Sequence, residues 1–214
     1  MLSIRIAALE DNEDCAYRSK TNSLQAKFLA ELPRFSDVAS ALVSQSPNLL
    51  TFIPATGAAV CFANRVVIVG SVPSESQITT ILQSTLNRVQ APIFATDCLQ
   101  DRMHEAREFV DTASGVLAFT VSKSQNFHVL WFRTEQVQMV KWGGDPNKPI
   151  QGDGTELRLS PRKSFEIWKQ EVRGKSEAWT QPEIEAAAEL RATLMSLLLS
   201  APSDDNSGRS AASV

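Results

Sequence analysis

Residues 131 to 168 constrain this chain more than any other stretch, because they spell out two limbs separated by a connection that suits neither helix nor sheet. The first limb, Trp131-Phe132-Arg133 through Val137-Gln138-Met139-Val140-Lys141-Trp142, is apolar and β-branched enough for a strand. Gly143-Gly144-Asp145-Pro146, Pro149 and Gly152-Asp153-Gly154 follow. Each proline fixes φ and lacks the amide that a ladder or helix needs, so the chain reverses here. The return limb supports two structures. Leu157 and Leu159 alternate around Arg158 as in a strand, whereas Ser160-Pro161 is a helix start, with serine as N-cap and proline at the first helical position. A segment with two packings of similar free energy can act as a switch, biased by whatever touches it.

The rest of the chain predicts one α+β body. From about Ile4 to Leu32 a polar middle is followed by Leu24, Phe28 and Leu32 at four-residue spacing, a long entry helix closed by Pro33. Val38, Leu42 and Val43 mark a second helix that ends near Ser46-Pro47. Leu49 to Phe52, Ala58 to Phe62 and Arg65 to Val69 are short apolar runs, expected as adjacent antiparallel strands. Ser74 caps a helix with Ile78, Ile81, Leu82 and Leu86 on one face. Pro92 to Thr96 is strand-like, and Gln100 to Glu108 could hold another helix. Gly115 to Val121 and Phe127 to Phe132, joined by a polar turn, complete the sheet. This order suits an antiparallel sheet with helices packed on it, of GAF-like type. Thr180-Gln181-Pro182-Glu183 matches a capping box ahead of a helix that runs to about Ser200. Ala187, Leu190, Leu194, Leu197 and Ala201 form either a coiled-coil seam or the face of a helix packed on its own domain. The tail from Pro202 to Val214 is too polar to fold alone.

A chain of 214 residues with 43% hydrophobic content has enough apolar surface for one substantial core. Its 21 basic and 24 acidic residues leave a net charge of -3, without the basic footprint of a nucleic-acid or anionic-membrane binder. No run is long enough to span a membrane, and the first eight residues lack the features of a secretory signal, so a cytoplasmic location is expected. Cys15, Cys61 and Cys98 are widely spaced and suit reduced thiols better than disulfides or zinc. His104 lacks the second histidine of a helical zinc motif, and His128 sits in a strand-like run. The glycine clusters lack the lysine and hydroxyl of a phosphate loop, and Asp145, Asn147 and Asp153 lack calcium-loop spacing. No convergent catalytic set emerges. An arginine in the first turn of a helix, as at Arg162, is disfavoured by the helix dipole and makes more sense with an acidic partner outside the domain.

Trp142-Gly143-Gly144-Asp145-Pro146, then Pro161-Arg162-Lys163-Ser164-Phe165, then Trp168 resemble the tongue of the PHY (phytochrome-specific) domain, which follows the bilin-bearing GAF domain in cyanobacterial and bacterial phytochromes. Ala55-Thr56-Gly57-Ala58-Ala59, Ala95-Thr96-Asp97 and Arg173-Gly174 to Trp179 extend the resemblance from roughly Leu24 to Leu199. It implies a GAF-like α+β fold with a long protruding tongue and long terminal helices. The implied layout is an entry helix over 1–23, a PHY domain over 24–180 with its tongue at about 131–170, an exit helix over 181–201 and a disordered tail over 202–214. It also implies a signal relay without catalytic activity, in which Trp142, Gly143, Gly144, Pro161, Arg162, Ser164, Phe165 and Trp168 contact the GAF domain. In the family the tongue arginine and serine exchange contacts with a GAF aspartate, and the tongue refolds from hairpin to helix in the red/far-red photocycle. The family's bilin, phycocyanobilin or biliverdin, is attached outside this domain, so none of the three cysteines inherits that role. Implied partners are the GAF domain and a C-terminal output domain of histidine kinase or cyclase type, with a homodimer through the terminal helices as a further option. One departure stands out: the family's aromatic-spacer-glutamate pattern at Trp168 has Gln170 in the third place and Glu171 one further on. A GAF-type small-molecule module and a pure dimerisation module remain the alternatives.

Overall fold

Strands that are apolar on both faces organise the molecule. The computed structural model describes residues 15–24, 26–27, 37–44, 46–63, 65–86, 91–136, 138–143 and 167–200. Strands β1 (Gly57–Phe62), β2 (Arg65–Gly70), β3 (Ile93–Thr96), β4 (Gly115–Ser122) and β5 (Phe127–Arg133) form a sheet in the order β2-β1-β5-β4-β3, every neighbouring pair antiparallel. One face carries Ala58, Val60, Leu117, Phe119, Val129 and Trp131 against helices α2 (Val38–Ser44), α3 (Leu49–Phe52) and α5 (Gln181–Ser200). The other carries Ala59, Val116, Ala118, Leu130 and Phe132 against Ile78 and Ile81 of α4 (Glu75–Ser84) and against Leu99, Met103 and Phe109. Burial on both sides explains why β5 reads as a near-continuous apolar run, with every residue buried. At the sheet's edge β2 alternates instead, leaving Ile68 half-exposed.

Local capping explains most of the helix starts. The Ser74 hydroxyl accepts from the Gln77 amide at 3.4 Å while the Gln77 side chain accepts from the Ser74 amide at 2.9 Å, the reciprocal box that begins α4. At α5 the Glu183 carboxylate accepts from the Thr180 amide at 2.8 Å. Along α5, Ala187, Leu190 and Leu194 are buried against the sheet and Leu197 is half-buried, so among the described residues the seam packs on its own domain. Residues 15–24 and 26–27 are helical (α1), with Tyr17 and Leu24 packed on the first core. The remainder of the expected entry helix and the polar tail lie outside the described residues.

Two expectations are corrected. The limb expected to start the arm at Trp131 is two strands: Trp131, Phe132 and Arg133 end β5, and a separate antiparallel pair of β6 (Gln138–Gly143) and β7 (Ile167–Val172) follows. Trp131 is fully buried and its indole N–H donates to the Leu49 carbonyl at 3.0 Å, so the core takes it and the arm begins after Arg133. Leu49–Phe52 is a helical turn, not a strand, because the Asn48 side chain accepts from the Leu50 and Thr51 amides in a capping box that outweighs β propensity. The helix expected over Gln100 to Glu108 is present as two short 3-10 segments, Leu99–Asp101 and His104–Phe109.

Candidate functional site

The two feet of the arm meet at the edge of the body. On the leading side, the Gln136 amide donates to the Lys175 carbonyl at 2.7 Å, and the Glu135 carboxylate accepts from the Gly174 amide. The trailing foot is tied to the loop after β3: the Ser176 amide donates to the Asp97 carbonyl at 2.8 Å, and Gln100 Nε2 donates to the Arg173 carbonyl at 3.5 Å. Two glycines permit these approaches. Gly174 has φ +75°, and a Cβ there would lie 2.0 Å from Gln100 Nε2. At Gly115 a Cβ would lie 2.0 Å from Ser176 Oγ.

Above the feet, Arg133 is the last residue of β5 and its guanidinium is buried. Nε and Nη2 donate to the Pro54 carbonyl at 3.2 and 2.9 Å, and Nη1 donates to the Ala178 carbonyl at 2.9 Å. Nη2 also pairs with Glu183 Oε1 at 2.5 Å, both side chains being 8% exposed. The guanidinium carbon lies 3.9 Å from the centroid of the Trp179 ring, and the Trp179 indole N–H donates to the Thr96 carbonyl at 3.0 Å. Thr56 joins the group, its hydroxyl and amide both donating to the Phe132 carbonyl, at 2.8 and 2.9 Å. A buried ion pair is weak evidence for stability, since desolvation cancels much of the attraction, but leaving one partner unpaired costs about 3–5 kcal/mol.

The entry helix reaches the same corner. Tyr17 donates its hydroxyl to the Phe52 carbonyl at 3.0 Å, and burial, followed by the negative charge of Glu183, pushes its phenol up to about 12. Arg18 pairs with Glu185 of α5 at 2.8 Å, an exposed contact that adds little. The entry helix, the arm's feet and the first turn of α5 therefore converge on one cluster.

Of the residues expected to act at the arm, Trp142 and Gly143 lie in β6 and Trp168 in β7, with Trp142 opposite Trp168 and Gly143 opposite Ile167. Gly144, Pro161, Arg162, Ser164 and Phe165 lie outside the described residues. Sequence reasoning passed over Arg133, although a lone charge closing the run Phe127 to Phe132 was a signal, and it took Glu183 for a cap alone. Thr56, Thr96, Asp97, Gly174 and Trp179, noticed as family markers, all touch this corner.

Burial, and then the charge of Glu75, pushes the Cys61 thiol up to about 11; burial and the Asp101 side chain raise that of Cys98. Cys15 is exposed. His128 is buried, its Nδ1 lies 3.0 Å from the Thr120 hydroxyl, and burial and Lys123 depress its pKa. His104 is exposed, and among the described residues no group of three or more His, Cys, Asp or Glu could hold a metal ion. No described helix is long and apolar enough to cross a membrane.

A family model described as the phytochrome region, PHY, matches residues 21–203. The chain is 39% identical over 201 residues to cyanobacterial phytochrome B of Nostoc sp., covering 93% of this chain and 27% of that protein. Cyanobacterial phytochrome A of the same organism is 37% identical over 196 residues, covering 91% and 25%. Among solved structures, bacteriophytochrome RpBphP3 from R. palustris superposes with a TM-score of 0.76 at 35% identity, over 94% of this chain and 40% of that one. The photosensory core module of the Stigmatella aurantiaca phytochrome gives a TM-score of 0.74 at 39% identity, over 90% and 38%. The chain spans about a quarter of the length of the curated relatives it matches.

Proposed function

The chain belongs to the PHY family, the phytochrome region, and on that footing we propose that it is the signal-relay domain of a red/far-red phytochrome photosensory module. The observation that supports this reading best is the β6–β7 ribbon, separate from the main sheet and rooted beside the first turn of α5. In this reading residues 24–180 form the relay domain, the tongue runs from Thr134 to Arg173, residues 1–23 and 181–201 are the entry and exit helices, and residues 202–214 are a tail. The tongue meets a bilin-binding GAF domain. The planar fork of Arg162 receives an aspartate there, Ser164 exchanges with it between states, and Trp142, Phe165 and Trp168 supply apolar anchors. Gly143, Gly144 and Pro161 set the backbone path between these contacts. Refolding of the tongue shifts the population of two packings, and the exit helix carries the shift to an output domain of histidine kinase or cyclase type. The domain itself catalyses nothing and works in the cytoplasm.

Bilin, on this reading, belongs to the GAF neighbour. Cys61 and Cys98 do not fit thioether attachment, because both are buried with thiols held above their ordinary values, which starves them of thiolate. Incubated alone with biliverdin or phycocyanobilin, the chain should give no zinc-fluorescent band. The decisive test is Arg162→Ala in the photoreceptor. It should disturb the photocycle or the stability of the far-red-absorbing state, and unchanged spectra with unchanged dark reversion would refute the role given to Arg162.

A second reading, a GAF-type ligand module, draws on a cavity of about 540 Å³ bordered by Cys61, Glu75, Thr79, Gln83 and His128. Thermal-shift screening with cyclic nucleotides and tetrapyrroles tests it. A dimerisation module finds less support, because Ala187, Leu190 and Leu194 are already buried in the domain.

A further inference from the structure

We propose that Arg133, through Glu183, is the positioning residue that ties the exit helix to the arm, so that a change in the arm reaches α5 by way of this buried pair. The proposal rests on the relay reading and adds to it the link between the two moving parts. Arg133 occupies the junction between sheet and arm: its carbonyl accepts from the Ser114 amide at 2.9 Å, and the arm's leading foot begins at the next residue. Four guanidinium hydrogen bonds fan out from it, to Pro54 before β1, to Ala178 between the trailing foot and α5, and to Glu183 within α5.

Glu183 is bidentate in a functional sense. One oxygen holds Arg133, and the other accepts from the Thr180 amide at the helix N-terminus, where backbone donors lack intrahelical acceptors. The start of α5 is therefore set by the position of the Arg133 fork. Trp179 closes the arrangement, stacked on the guanidinium and hydrogen-bonded to the end of β3, so the segment joining foot to helix has little room to slide. A shift of the feet that moves Arg133 must either carry Glu183 with it or leave two charges buried and unpaired. Packing that served stability alone would be met as well by apolar side chains of the same volume, whereas a buried, directional pair selects one register.

The test is a coupling measurement on the 214-residue chain itself. Residues 144–166 are replaced by a short Gly-Ser loop, and amide hydrogen exchange is followed by mass spectrometry across α5, with α4 as an internal reference. In the parent chain, loop replacement should change exchange in the first two turns of α5 by roughly threefold or more while α4 stays constant. In the Arg133→Met background the same replacement should leave α5 unchanged, because the link is already cut. Should Arg133→Met not fold, Glu183→Gln keeps the shape, removes the charge and carries the same cycle. Additive effects of loop and point substitution overturn the proposal, as does a replacement that leaves α5 unmoved in the parent. Neither outcome touches the relay reading, which stands or falls on the photocycle of Arg162→Ala.

Discussion

Replacing Trp131 by phenylalanine separates a core residue from an arm residue. The indole is fully buried, its ring centroid lies 5.7 Å from that of Phe119, and its N–H donates to the Leu49 carbonyl at 3.0 Å, a bond that pins α3 to the sheet. Phenylalanine keeps a ring beside Phe119 but loses the donor. The Leu49 carbonyl retains the Ile53 amide at 3.2 Å, so the loss is that of one ordinary buried hydrogen bond, about 1 kcal/mol. The smaller ring leaves a void of roughly 40 Å³, which at about 24 cal/mol per Å³ adds about 1 kcal/mol, with some lost transfer energy besides. The total is about 2–3 kcal/mol. With a urea slope of about 2.5 kcal/mol/M, the unfolding midpoint should fall by roughly 1 M with the slope unchanged. Urea titration followed by far-ultraviolet circular dichroism reads this directly. A midpoint shift under about 0.3 M would mean that Trp131 does not sit in the core, and the boundary placed after Arg133 would be wrong.

Leu190→Ala, at a residue 1% exposed, should lower stability by about 2–5 kcal/mol, and Leu199→Ala, at one 85% exposed, should stay within about 0.5 kcal/mol; equal effects in urea titrations would contradict the packing of α5 on the sheet. With Ellman's reagent at about pH 8, one thiol should react fast and two slowly, and the fast phase should vanish in Cys15→Ser, since Cys61 and Cys98 are buried and poor in thiolate. Because the folded state holds the His128 imidazole below its ordinary value, the unfolded chain binds that proton more readily. The stability His128 contributes is complete above the unfolded value of about 6.5 and is lost as pH falls toward the folded one. The urea midpoint should therefore drop less between about pH 7.5 and about pH 5 in His128→Gln than in the parent, and parallel profiles would count against the assignment.

Period and punctuation were legible along the chain. Alternation and burial placed β1, β2, β4 and β5, Ser74 announced α4, Thr180 with Glu183 announced α5, and the glycine and proline cluster after Trp142 announced a reversal. These features are local, because side-chain direction repeats every two residues in a strand and caps act within one turn. The misreadings at Leu49–Phe52 and at Trp131 arose where a short apolar run could serve two structures, and a side chain from elsewhere or a neighbouring cap decided between them. The corner around Arg133 was beyond such reasoning. Arg133 meets Pro54, Ala178 and Glu183 at separations of 79, 45 and 50 residues, and only the strand order β2-β1-β5-β4-β3 with α5 laid across it brings them together. A charge can be buried only where its partners arrive from all sides at once, and those arrivals depend on how the whole sheet is assembled, not on any run of residues.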